Sequence, residues 1–95
     1  MNDLIGKLAL STKGRDMGNI YLIYKATINE VIMVDGNARK IINPKKKNIK
    51  HIKLLDVQSS NIREKIEKNL KVFDSEIYSF IKKYKKDWNF LNYVL

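Results

Sequence analysis

Seven cationic side chains lie between Arg39 and Lys53, and no carboxylate interrupts them. This segment reads R-K-I-I-N-P-K-K-K-N-I-K-H-I-K, and a second basic segment, S-T-K-G-R-D-M-G, occupies residues 11–18 with the glycine spacing of a turn. Positive charge on one rigid surface favours a polyphosphate partner, because each neutralised phosphate releases condensed counterions. The residues that we expect to contact such a partner are Lys13, Arg15, Arg39, Lys40, Lys45, Lys46, Lys47, Lys50, His51 and Lys53.

The distribution of charge supports this expectation better than its total. Residues 1–55 carry 11 Lys or Arg against 4 Asp or Glu, whereas residues 56–95 carry 8 against 6. The net charge of +9 is therefore +7 in the first part and +2 in the second. Uneven charge steers association with a partner, while uniform charge mainly aids solubility.

Composition argues against several other classes of protein. The chain has no cysteine and one histidine, so it offers no thiolate or histidine metal site and no nucleophile paired with a base. We expect no enzyme activity, no metal and no cofactor. The sequence beginning M-N-D-L-I-G-K-L does not resemble a secretion signal, and no apolar run reaches membrane-spanning length. These features predict a cytoplasmic protein that is monomeric when free and does not contact a membrane.

Short apolar stretches separated by turn residues predict a β-rich first part. Leu8 and Leu10 alternate with polar or small residues, as do Ile52 and Leu54, which predicts one buried face on each of these strands. Pro44 is expected to end the fourth strand. Five short strands favour a curled sheet or small barrel, which leaves few exposed edges. The predicted strands are Lys7–Thr12, Ile20–Lys25, Ile28–Val34, Arg39–Ile42 and Lys50–Leu55.

The hydrophobic period becomes helical near Asp56. Two helices are expected, with Ser60 and Asp74 as their N-caps. We predict that the apolar stripe of the second helix packs on the strands or on the first helix. This gives a β-domain at residues 1–56 and a helical C-terminal extension at residues 57–95. The stripe consists of Ile77, Ile81, Tyr84 and Trp88.

Three segments carry a family resemblance: S-T-K-G-R-D-M-G, D-G-N-A-R-K and N-P-K-K-K-N-I-K-H. Together they resemble the bacterial KOW-domain RNA-binding proteins, which are similar to KOW-containing large-subunit ribosomal proteins of archaea and eukaryotes. The resemblance covers residues 5–55 and implies a small SH3-like barrel that contacts RNA or the ribosome. The implied function is docking on structured rRNA of the large subunit, as a ribosome-associated or accessory ribosomal protein beside other ribosomal proteins. The alternative is a protein-binding adaptor that uses the barrel and the apolar residues at the C-terminus.

Several side chains have two interpretations from sequence. The run Lys45, Lys46 and Lys47 is either a solvated loop after Pro44 or a loop that contacts phosphate, and we favour phosphate contact. Tyr21 and Tyr24 can stack nucleobases, but in an apolar strand they are more often core residues. Asp16 is expected to form an Asx-type turn or to orient a neighbouring arginine. His51 either stacks on a base or satisfies a backbone carbonyl.

Overall fold

A computed structural model describes the backbone of residues 3–94 and the side chains of residues 3–87. The fold is one five-stranded antiparallel sheet followed by two helices. The spatial order of the strands is β4-β3-β2-β1-β5. A three-residue 3-10 turn at Ile49–His51 connects β4 to β5. The elements are β1 Lys7–Ser11, β2 Ile20–Ala26, β3 Glu30–Val34, β4 Lys45–Asn48, β5 Ile52–Gln58, α1 Ser60–Glu67 and α2 Asp74–Val94.

Strands β1, β2 and β3 lie close to their predicted positions. They carry apolar residues on both sides, and both faces of the sheet bury such residues. One face contributes Leu8, Leu22 and Val34 to a core that the two helices complete. The opposite face carries a second core of buried residues. Tyr21 belongs to this second core, and Tyr24 packs against the first, which confirms that both are packing residues. The second core consists of Ala9, Tyr21, Ile23, Val31 and Met33.

The fourth strand was predicted in the wrong place. Residues 39–42 form a loop, and β4 begins after Pro44 instead of ending there. Two carboxylates hold this loop: Asp35 accepts hydrogen bonds from the backbone N–H groups of Asn37 and Arg39, each at 2.8 Å, and Asp74 accepts from Ile41 N at 2.8 Å. Their hydrogen bonds replace the ladder that a strand at residues 39–42 would have made.

The last strand also differs from its prediction. Residues 49–51 form the 3-10 turn, so β5 begins at Ile52 and continues to Gln58. Leu54 was expected to be buried but is 40% exposed. Leu55, on the opposite face, packs against the core that includes the helices. The pattern was misread because the helices cover the face of β5 that carries Leu55, and Leu54 faces away from them.

The two helices pack on the sheet, as the apolar stripe predicted. Ile77 and Ile81 are buried in the first core and Tyr84 packs at its edge, while Trp88 lies outside the described side chains. The caps differ from the prediction. Ser59, not Ser60, accepts the hydrogen bond from Ile62 N at 3.1 Å. α2 begins at Asp74 itself, whose carboxylate accepts from Ile41 N, and Glu76 in the first turn accepts from Phe73 N. No helix within the described residues is both long and apolar enough to cross a membrane.

Candidate nucleic-acid interface

The loop at residues 12–19, which connects β1 to β2, is organised around the carboxylate of Asp16. The Tyr21 hydroxyl donates to Oδ2 at 2.8 Å and the Ser11 hydroxyl donates to Oδ1 at 2.9 Å. From β4, Lys47 Nζ donates to Oδ1 at 2.5 Å and to the Lys13 carbonyl oxygen at 2.6 Å. The sheet is therefore curled, since β4 reaches this loop although β3 and β2 separate it from β1.

The protonation states of Asp16 and Tyr21 favour the hydrogen bonds within this loop. Burial alone would raise the pKa of Asp16, but the hydrogen bonds from Lys47, Tyr21 and Ser11 and the Lys47 charge hold that pKa well below its usual range. Burial raises the pKa of Tyr21, and the adjacent Asp16 carboxylate adds to this increase. At neutral pH Asp16 is therefore a carboxylate, and Tyr21 remains a hydrogen-bond donor to it.

The three consecutive lysines of β4 have different environments. Only 9% of the Lys47 side chain is exposed, and its charge is neutralised by Asp16. Lys45 is half-buried, with Nζ 3.9 Å from the same carboxylate, whereas Lys46 is exposed and lies 3.8 Å from Glu30. The interpretation of this run as a loop is wrong because all three residues belong to a strand paired with β3. Lys47 is a packing residue whose ammonium group faces the protein.

The 3-10 turn brings further cations beside the 12–19 loop. The Thr12 N–H donates to the His51 carbonyl oxygen at 2.9 Å, and Lys53 follows at the position paired with Leu10 of β1. His51 is half-buried. Within the described residues, the exposed cations of this region make no ion pair; they are Lys13, Arg15, Lys50 and Lys53. We call these four the loop-and-turn cations.

Arg39 and Lys40 belong to a different segment, the loop that precedes β4, whereas the 3-10 turn follows that strand. Arg39 is half-buried, and its guanidinium Nη1 lies 3.5 Å from the Pro44 carbonyl oxygen. Lys40 is exposed. Four of the ten predicted residues are thus exposed cations without an ion pair among the described residues, in the 12–19 loop and around the 3-10 turn, and Arg39 and Lys40 belong to a separate loop.

A cleft of about 480 Å³ lies next to the loop-and-turn cations, between the sheet and α2. Its apolar side chains come from β1, β2 and β5, and α2 contributes Tyr84. Lys53 and Lys85 line the same cleft, and both are exposed. Sequence analysis did not predict this cleft, because Lys85 lies beside the strands only when α2 packs against the sheet.

Comparison with protein-family models and with curated proteins finds no match to this chain.

Proposed function

We propose that this protein binds structured RNA, and that the curled sheet is a small SH3-like barrel of the KOW type. The partner in this proposal is rRNA of the large ribosomal subunit, with the protein acting in the cytoplasm as a ribosome-associated or accessory ribosomal protein. Affinity comes mainly from phosphate contacts, which position a protein on RNA without reading its sequence. RNA shape supplies the specificity.

The observation that supports the proposal is the electrostatic state of the loop-and-turn cations. Asp16, the carboxylate in the 12–19 loop, is already occupied by Lys47 and approached by Lys45. These three groups sum to +1, and the four loop-and-turn cations raise the local charge to +5. The hydrogen bonds from Lys47 to the loop and from Thr12 to His51 hold the backbone segments in place, which reduces the entropy lost on binding.

Charge reversal at matched positions tests the proposal. The double variant Lys50→Glu and Lys53→Glu should bind purified large ribosomal subunits much more weakly than the unaltered protein in a sedimentation assay. The control, Lys68→Glu with Lys71→Glu, makes the same change in net charge at exposed residues between the helices. Equal loss of binding in both variants would show that only net charge matters and would contradict a site at these cations.

A further inference from the structure

The cleft between the sheet and α2 has the chemistry of a nucleotide site. Leu10, Ile20 and Leu55 line it from the strands, and Tyr84 adds an aromatic side chain from the helix. Lys53 and Lys85 provide positive charge from two different elements. An apolar cavity with a few convergent polar groups is the usual form of a small-ligand site, and its volume of about 480 Å³ lies within the range of such sites.

We infer that this cleft accepts one unstacked nucleobase of a bound RNA, with Lys53 and Lys85 contacting the phosphates beside that nucleotide. The inference rests on the proposed function and specifies how the RNA is held. Unpaired bases are commonly recognised by stacking on aromatic side chains while cations follow the backbone. Tyr84 is half-buried, packs against the core and also lines the cleft.

Charge favours a nucleotide as the occupant of the cleft. No carboxylate lines it, and neither lysine forms an ion pair within the described residues, so an anionic ligand meets two uncompensated charges. Lys53 is also one of the loop-and-turn cations, so the cleft and the proposed phosphate-binding surface are continuous. Gly18 also lines the cleft, and an added Cβ at this position would meet no atom within 4 Å.

Binding measurements with two RNA probes test this inference. One probe is a single-stranded oligouridine of about ten nucleotides, and the other is a blunt RNA duplex of the same length. Tyr84→Leu keeps apolar bulk but removes the ring, and it should weaken oligouridine binding about 5- to 150-fold while leaving duplex binding nearly unchanged. The control Tyr78→Leu alters an exposed tyrosine of α2 that does not line the cleft, and it should bind both probes normally.

A charge-reversal pair keeps the test valid even if Tyr84→Leu reduces stability. Lys85→Glu and Lys83→Glu change exposed residues of α2, two positions apart, by the same charge, but of these two only Lys85 lines the cleft. Lys85→Glu should weaken oligouridine binding at least about fivefold more than Lys83→Glu. In the unaltered protein, methyl NMR signals of Leu10, Ile20 and Leu55 should shift when oligouridine is added.

The outcomes separate this inference from the function on which it rests. Binding of both RNAs with equal effects of Lys85→Glu and Lys83→Glu, and with unmoved methyl signals, would overturn the nucleotide cleft while leaving RNA binding intact. Failure to bind either probe would overturn the nucleotide cleft, and failure to bind large ribosomal subunits as well would overturn both proposals. Methyl shifts caused by an acidic, aromatic-containing peptide and not by RNA would overturn the nucleotide cleft and would favour the adaptor alternative for this surface.

Discussion

Lys47 Nζ lies 2.5 Å from Asp16 Oδ1, although 31 residues separate them in sequence. The contact joins β4 to the loop between β1 and β2, and about a tenth of each side chain is exposed. A lysine within a run of three was the natural candidate for phosphate contact, yet this one fixes the surface on which its neighbours are displayed. The distinction between a structural lysine and a binding lysine gives the first prediction.

Replacing Lys47 should destabilise the protein, whereas replacing Lys46 should not. Lys47→Met removes two hydrogen bonds, to Asp16 and to the Lys13 carbonyl, and leaves a nearly buried carboxylate with only the more distant Lys45 as a cation. We expect a loss of about 1–3 kcal/mol in the free energy of unfolding, measured by urea denaturation. Lys46→Met, at an exposed neighbouring position, should change it by less than about 0.5 kcal/mol. Similar losses in both variants would contradict the structural role of Lys47.

The same pair predicts how stability depends on pH. The pKa of Asp16 is lower in the folded protein than in the unfolded chain, so the folded state binds fewer protons at this site. The stabilisation that ionised Asp16 provides is fully present above its unfolded-state pKa of about 3.9. This stabilisation is lost as the pH falls through the lower pKa of the folded state. The free energy of unfolding should therefore decline below about pH 4.

Asp16→Asn isolates this contribution from that of other acids. The pKa of Glu76 is also lowered, by the hydrogen bond from Phe73 N and by Lys65, but that effect is common to both proteins and cancels in their difference. The variant should have a lower free energy of unfolding than the unaltered protein at pH 6, and this difference in free energy should become smaller between pH 4 and pH 2. Urea denaturation at these pH values measures the difference. A difference independent of pH would show that Asp16 is not perturbed.

Gly36 should be essential for docking of α2. Its φ of +77° is unfavourable for other residues, and an added Cβ would collide with the Asp74 carbonyl oxygen and lie 2.9 Å from Tyr78 N. Gly36→Ala should therefore lower the free energy of unfolding by the conformational penalty of about 1–2 kcal/mol, and by about 1–3 kcal/mol more because of overpacking. Gly18→Ala is the matched control, since its φ is +93° but no atom lies nearby. Equal melting temperatures for the two variants would contradict the close helix contact.

The first three strands and both helices could be predicted because their signals are local. Turn residues and changes in apolar period mark these elements without reference to distant parts of the chain. β4 could not be predicted in this way, since K-K-K-N has neither apolar alternation nor high β-propensity. Its position depends on pairing with β3 and on the contact between Lys47 and Asp16. Similarly, the loop at residues 39–42 is fixed by a hydrogen bond from Ile41 to Asp74, 33 residues away.

The candidate site was predictable as a region but not residue by residue. Charge counting identified the basic segments, yet it could not separate Lys47, whose charge is neutralised internally, from Lys50 and Lys53, whose charges are free. The contribution of Lys85 was also missed. A basic run at residues 82–86 was visible in the sequence, but only the docked helix shows which of its members lines the cleft.

The salt dependence of RNA binding tests the central claim most directly. If the four loop-and-turn cations each neutralise one phosphate, the logarithm of the association constant should fall against the logarithm of salt concentration with a slope of about −2.8 to −3.6. The double variant Lys50→Glu and Lys53→Glu loses two of these contacts, so its slope should fall to about half. Titration of a structured rRNA fragment at several salt concentrations gives both values. A slope near zero for the unaltered protein, or the same slope for both proteins, would contradict RNA binding through these cations.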